Sequence, residues 1–151
     1  LGADGTERGG ISVTLADGAN SHGDAGSASP AIFCFCPNFN HPINKSLFVK
    51  GFKCALVSGG QAENNSEFYS FKLFSCTKSE YLSSNVSNWN FIAQVNLTPQ
   101  QNPNGNKPLQ HGLSSINTLL VKDEFLVVTC ANAPTVKGKG LTVTVELEVN
   151  Y

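Results

Sequence analysis

The residues of this chain that could carry out acid–base or nucleophilic chemistry are few and scattered. The three histidines, His22, His41 and His111, all lie in loop-type sequence containing Gly, Pro or Asn. None of them stands near the Gly-x-Ser-x-Gly pattern that presents a nucleophilic serine on a sharp turn. Solvated loop histidines are therefore the favoured interpretation, and the sequence predicts no catalytic triad.

Two pairs of neighbouring carboxylates have the residue type needed for glycoside hydrolysis, which places one carboxyl group on each side of the bond that breaks. Glu146 and Glu148 alternate with apolar residues, which is typical of the water-facing side of a strand. Asp123 and Glu124 lie at a turn. Neither pair predicts a catalytic site, and we expect that the protein is not an enzyme.

The spacing of the cysteines disfavours a metal site. Structural zinc favours two cysteines separated by two residues with a second pair downstream, whereas Cys34 and Cys36 are separated by one residue and have no second pair. The five cysteines, all in strand-like runs, are Cys34, Cys36, Cys54, Cys76 and Cys130. We predict mostly unbridged, buried thiols, no bound metal and no cofactor. The alternatives are one or two disulfides or an intermolecular bridge.

A sugar-binding site is one candidate for the loops. Such a site combines an aromatic platform with planar amides, and Trp89 with the Asn- and Gln-rich loops 59–66 and 99–108 has these residue types. Asn102 and Asn104 are the candidate glycan contacts in the second loop. Trp89 also begins an alternating strand, and in that position a tryptophan is more often part of a core.

Four Asn-x-Ser/Thr sequons are candidate sites of N-glycosylation in a secreted eukaryotic setting, and they begin at Asn44, Asn64, Asn85 and Asn96. The first three fall in or beside loops. Because the chain is rich in Asn and Ser, chance matches are expected, and the sequons permit glycosylation without indicating it.

The composition excludes several classes of partner. Charged residues make up 14% of the chain, against ~25% in typical soluble domains, and the net charge is −1. Nucleic-acid binding needs concentrated Lys and Arg, which are scattered here, so we expect no nucleic-acid partner. No apolar run approaches the ~20 residues of a membrane span. The chain begins with Leu1 and contains no Met, so we expect a processed form or a fragment.

The elements that must position these residues are strands. In residues 140–151, Leu and Val alternate with Thr and Glu without a break, as in a half-buried strand, and residues 124–130 are apolar on both faces. Gly51 marks a bulge or bend within a long strand. The predicted strands are 11–15, 31–36, 46–58, 67–78, 89–98, 113–121, 124–130 and 140–151. These eight strands predict an all-β, single-domain antiparallel β-sandwich with no helix of useful length.

Residues 1–30 are predicted to form an extended, Gly-rich arm, and residues 31–151 to form the sandwich. The arm carries one alternating segment, in which Ile11, Val13 and Leu15 are candidate assembly residues that add as a strand to a neighbouring subunit. Several strands of the body are apolar on both faces. Either neighbouring subunits or loops of the same chain must cover the outer faces, and we favour self-association.

The end of the chain resembles a known kind of domain. Residues 120–130 (Leu-Val-Lys-Asp-Glu-Phe-Leu-Val-Val-Thr-Cys) and 140–149 (Gly-Leu-Thr-Val-Thr-Val-Glu-Leu-Glu-Val) resemble the closing strands of jelly-roll domains of the tumour-necrosis-factor/C1q-like kind. Such domains form heads of phage fibres and virion spikes and tips of bacterial surface filaments. The resemblance implies a jelly roll that forms a trimer or larger homo-oligomer and binds receptors, glycans or neighbouring shell proteins.

The function that these observations favour is a non-enzymatic structural protein of a virion surface: a capsid decoration, spike or fibre-head protein. An extracellular location is the alternative to the virion surface. Two other functions remain open from the sequence, namely a filament or appendage subunit assembled by exchange of the N-terminal strand, and a soluble glycan-binding lectin.

Overall fold

The computed structural model describes residues 8–15, 31–35, 46–64, 66–82, 86–99, 107–121, 123–132, 134 and 138–150. Within them are nine strands and two short helical segments. The strands are β1 (Arg8–Leu15), β2 (Ala31–Phe35), β3 (Ser46–Ser58), β4 (Tyr69–Cys76), β5 (Asn90–Leu97), β6 (Leu109–Leu113), β7 (Thr118–Leu120), β8 (Phe125–Asn132) and β9 (Lys139–Asn150). Helix α1 (Lys78–Leu82) and a 3₁₀ turn (Val86–Asn88) lie between β4 and β5.

The strands form two antiparallel sheets. Sheet A has the order β1-β9-β3-β6, with β7 also pairing with β3, and sheet B has the order β2-β8-β4-β5. Side chains from both sheets, for example Val143 of sheet A and Val128 of sheet B, share one buried core. The predicted all-β sandwich is therefore confirmed.

The pairing of the strands is nested. β1 pairs with β9, β2 with β8, β3 with β6 and β7, and β4 with β5. If β6 and β7 are counted as one strand, the first four strands thus pair in reverse order with the last four, and the resulting long hairpin is rolled into two sheets. This is the jelly-roll arrangement.

The alternation in β9 sets the inner face of sheet A. Its buried residues are Leu141, Val143, Val145, Leu147 and Val149. The intervening threonines and glutamates are partly or fully exposed. This is the division between core and water that the sequence predicts, and it fixes which way the neighbouring strands face.

The bulge predicted at Gly51 is present, because the β3–β9 register shifts between Val49 and Gly51. The buried side chains of β3 change parity there: Leu47 and Val49 precede the shift, and Phe52 follows it. Without that extra residue, the second half of β3 would turn its apolar side chains to the outside. β6 and β7 pair with β3 on either side of the bulge, which divides the predicted strand 113–121.

Part of the outer face of sheet B is covered by the chain itself. Val127 points away from the main core yet is 0% exposed, because it packs with Phe74, Cys76 and Trp89 in a second cluster. For this part of the sheet, cover by a loop of the same chain, the alternative to self-association, is what the structure shows.

Local capping explains the short helix within that covering segment. The Thr77 Oγ1 accepts a hydrogen bond from the Glu80 N–H (3.3 Å), and a Glu80 carboxylate oxygen accepts one from the Thr77 N–H (2.7 Å). This reciprocal pair is a capping box. It starts the helix where Tyr81 can stack on Trp89. Among the described residues, no helix is long and apolar enough to cross a membrane.

We predict that Val145→Asp prevents folding. Val145 is 0% exposed, and a carboxylate there would be an unpaired charge in an apolar layer, which costs several kcal/mol. The matched control is Thr144→Asp, since Thr144 lies beside Lys53 in the β3–β9 register. Circular dichroism and thermal unfolding should show a folded control and an unfolded Val145 variant. Cooperative unfolding of Val145→Asp near the wild-type temperature would contradict the assignment of the inner face.

Candidate functional site

Three connections of the sandwich meet at one end, and Tyr69 holds them together. The Tyr69 hydroxyl donates a hydrogen bond to the Gly59 carbonyl (3.1 Å) and accepts one from the Gly138 N–H. The Gly59 N–H in turn donates to the Lys107 carbonyl (2.8 Å). The β3–β4, β5–β6 and β8–β9 connections are thereby tied to each other. We call this region the loop end.

Tyr69 can make these bonds because it is the first residue of β4, where its ring still belongs to the core. The ring stacks on Phe71 with 5.8 Å between centroids, and only the hydroxyl reaches the loops. Gly138 must be glycine, since a Cβ there would approach the Ser58 carbonyl oxygen to 2.2 Å, closer than any real contact. A side chain at 138 would separate the connections that Tyr69 joins.

The surface of the loop end is polar. Its exposed side chains are Glu63, Asn64, Ser66, Lys107 and Lys139. Glu67 orders the β3–β4 connection, because its carboxylate accepts hydrogen bonds from the Glu63 N–H (2.9 Å) and from the Asn64 side-chain amide (3.4 Å). Acidic, basic and uncharged hydrogen-bonding side chains are all available here, which suits recognition of a polar surface.

Of the four sequons, two have described asparagines. Asn64 is exposed in the β3–β4 connection, where its Oδ1 accepts hydrogen bonds from the Ser66 N–H (2.9 Å) and the Ser66 hydroxyl. Asn96 is exposed on β5, where its Oδ1 accepts a bond from Gln94 (2.9 Å). Asn44 and Asn85 lie outside the described residues.

The structure buries Trp89, the aromatic residue of the suggested sugar site, and places it away from the loop end. Trp89 is only 7% exposed, and its Nε1 donates a hydrogen bond to the Glu80 carbonyl (3.2 Å). It packs beside Cys76 at the end of β4, whereas the loop end lies at the start of that strand, ~23 Å away along eight residues. Asn102 and Asn104 lie outside the described residues. Trp89 is thus a packing residue, the alternative that the sequence left open.

Trp89 belongs to a chain of aromatic contacts over sheet B. Each ring contacts the next at centroid distances of 5.8–6.2 Å, in the order Phe125, Tyr81, Trp89, Phe74 and Phe91. Only Phe91 is largely exposed, at 54%. This cluster attaches the 77–89 segment to the sheet.

The titratable candidates that the structure describes lie on separate elements. His111 is exposed on β6, while His22 and His41 lie outside the described residues. Glu124 accepts a hydrogen bond from the Val121 N–H (2.8 Å) and so closes the turn before β8. Within the described ranges, no group of three or more His, Cys, Asp or Glu residues is placed to hold a metal ion.

The carboxylates of β9 lie on the outer face of sheet A. Glu148 lies 4.0 Å from the Lys50 ammonium, and the Lys50 Nζ also donates to the Asn117 side chain (2.6 Å). Glu146 lies over Gly51 and borders a hollow of about 220 Å³. Gly51 and Gly112, on neighbouring strands, also line this hollow, and the Lys53 side chain lies over Gly112. The sequence indicated Gly51 only as a bulge, and no local pattern predicted the hollow.

The cysteines with described side chains are buried in the interior. Cys54 and Cys130 lie in the main core and Cys76 in the cluster under Trp89, and none of the three forms a disulfide. Burial raises the pKa of the Cys54 thiol, and the nearby Cys130 raises it further. Cys54 is therefore neutral at physiological pH. The side chains of Cys34 and Cys36 lie outside what the structure describes.

Comparison of the chain with protein families, with curated proteins and with solved structures finds no match.

We predict that Tyr69→Phe destabilises the protein by about 1–3 kcal/mol, because it leaves the buried Gly59 carbonyl and Gly138 N–H without their partner while keeping the ring. Chemical denaturation measures the loss. Hydrogen exchange should be faster at the Gly138 amide and unchanged at the centre of β9. Wild-type protection of the Gly138 amide in the variant would show that the hydroxyl does not hold the loops.

The Tyr69 hydroxyl also predicts a pH dependence. Burial raises the pKa of Tyr69; the Gly138 hydrogen bond opposes this rise, and Cys130 adds to it. Above the unfolded-state tyrosine pKa of ~10, the folded protein holds this proton while the unfolded chain releases it. This contribution to stability is complete below pH ~10 and is lost as pH rises towards the folded-state pKa. Tyr69→Phe should therefore lose less stability between pH ~10 and ~11 than wild type. Parallel curves would contradict this.

Proposed function

We propose that this protein is a non-enzymatic structural component of a virion surface, a capsid decoration, spike or fibre-head protein. It works by forming homo-oligomers and by presenting its loop end to neighbouring proteins or a receptor. The observation that carries the proposal is the nested strand order, since jelly rolls with this arrangement are the common building block of viral capsid domains. The support from the strand order is an analogy of fold.

The loop end adds a second line of support. Its polar side chains are carried by connections that are tied to each other through Tyr69 and Gly59, so they are held as one surface. A surface held in this way loses less conformational entropy on binding than separate flexible loops would. Presentation of loops by a rigid sandwich is also how many binding domains work.

The proposal is tested on material from the native source. Antibodies against the purified chain should label the outside of intact virus particles in electron micrographs. Label confined to the interior of cells or to the interior of disrupted particles would contradict it. Antibodies that recognise the loop end are identified by competition. Added wild-type protein should block their labelling of the particles, and an added Glu63→Lys, Lys107→Glu double variant should not.

A second candidate, a filament subunit assembled by strand exchange, is favoured by the position of β1. β1 is an edge strand of sheet A, and here it pairs with β9 of its own chain from Arg8↔Glu148 to Leu15↔Leu141. Exchange would form the same ladder between chains, with the residues between Leu15 and Ala31 as the tether. Ile11, Val13 and Leu15 remain the predicted assembly residues of that mechanism.

We predict that deletion of residues 1–20 weakens assembly and leaves the remaining strands folded, because it exposes the edge of β9 that β1 covers. Deletion of residues 1–7 keeps β1 and is the control. Sedimentation of both variants measures assembly, and circular dichroism measures folding. Full assembly of the variant that lacks residues 1–20 would exclude strand exchange and leave the virion-surface proposal standing.

A further inference from the structure

The two sheets differ in how far their outer faces are covered by other parts of the chain. On sheet B, the aromatic cluster of the 77–89 segment buries Phe74 and Val127. On the outer face of sheet A, Leu119 and Val121 remain 51% and 60% exposed, and Val57 is also exposed at the far end of β3. Leu119 and Val121 are neighbouring exposed apolar side chains at one end of this face, whereas Val57 stands alone at the other end.

Two glycines on this face, Gly51 and Gly112, line the 220 Å³ hollow together with Thr144. The Glu146 side chain lies over Gly51, and the Lys53 side chain lies over Gly112. Glycine on the face of a strand is typical of places where another backbone approaches closely.

The charges of the face are arranged in two neighbouring columns. Lys50 and Lys53 lie on β3, and Glu146 and Glu148 lie on the adjacent β9. A two-fold axis between β3 and β9, parallel to the strands, places β3 of one copy over β9 of the other and keeps the height of each residue along the strands. Lys50 of one copy then lies at the level of Glu146 of the other, because Lys50 is the extra residue between Val49, which pairs with Leu147, and Gly51, which pairs with Glu146. Such a face is complementary to itself, which is the requirement of an isologous dimer.

The area of the face is also that of a stable dimer. The strands of sheet A have 8 residues in β1, 12 in β9, 13 in β3 and 8 in β6 and β7 together, and at ~4.8 Å by ~3.3 Å for each residue they cover about 650 Å². A standard interface buries about 800 Å² on each partner. The occupant that fits the apolar side chains, the charge columns and the area together is a second copy of this chain.

We propose that the outer face of sheet A is a two-fold interface between two copies of this chain, packed sheet on sheet with β3 of each copy over β9 of the other. This dimer rests on the proposed function in one respect, namely that the protein acts as an assembly. It specifies which surface is used, and the strand-exchange mechanism does not require it.

The test uses charge exchange between chains, measured by sedimentation equilibrium of the full chain. Lys50→Glu and Glu146→Lys should each weaken dimerisation at least tenfold, because like charges then face each other. An equimolar mixture of the two variants should recover an affinity within about threefold of wild type, since the glutamate introduced into one copy then faces the lysine introduced into the other. Leu119→Lys should also weaken the dimer, whereas Phe91→Lys, an equally exposed position on sheet B, should not.

Each outcome decides the proposal. Recovery in the mixture supports it, since pairing within one chain cannot produce that recovery. Wild-type association of every variant overturns the interface and leaves assembly through another surface, so the proposed function stands. A mixture as weak as its components also overturns it. A wild-type chain that is monomeric at high concentration overturns both the interface and the proposed assembly. Circular dichroism spectra that match wild type confirm that the exposed substitutions leave the fold intact.

Discussion

The ladder between β3 and β9 is the interaction on which the rest of this structure depends. It runs from Ser46↔Asn150 to Ser58↔Lys139. On their other edges, β9 pairs with β1, and β3 pairs with β6 and β7. Its register is fixed because a shift by one residue would bring the glutamates of β9 into the core. The single extra residue before Gly51 keeps both halves of β3 in phase with that pattern. The outer charge columns and the inner apolar layer are two results of the same register.

The sequence predicts those parts of the fold that depend on local alternation of apolar and polar residues. The inward face of β9, the bulge at Gly51 and the absence of a long helix from the described ranges follow from periodicity and residue type. The loop end does not, because the bond from Gly59 to Lys107 joins residues that no local pattern relates. Tyr69 was recognisable only as one aromatic residue in an aromatic strand. Its hydroxyl acquires a partner at Gly138 only when the two sheets are stacked.

Trp89 shows the opposite case, in which residue type suggests a surface residue and packing buries it. A tryptophan beside polar loops has the composition of a sugar site, but composition does not say which side of the ring the chain will cover. The capping box at Thr77 turns the following residues back over β4 and β8, and Tyr81 then lies on the indole. Sheet A has no such segment among the described residues, so the chain covers part of the outer face of sheet B and leaves that of sheet A uncovered.

The nesting of the strands has a consequence for the order in which the chain can fold during synthesis. Each outer pair of strands closes around the inner pairs, so Arg8 finds its partner only when Glu148 has been made. On the ribosome, β3 leaves the tunnel long before β9, and its apolar side chains lack a neighbour for most of translation. Folds with such distant pairings form slowly and expose strand edges while they wait. The nascent chain is therefore most vulnerable to aggregation just before its final twelve-residue strand emerges.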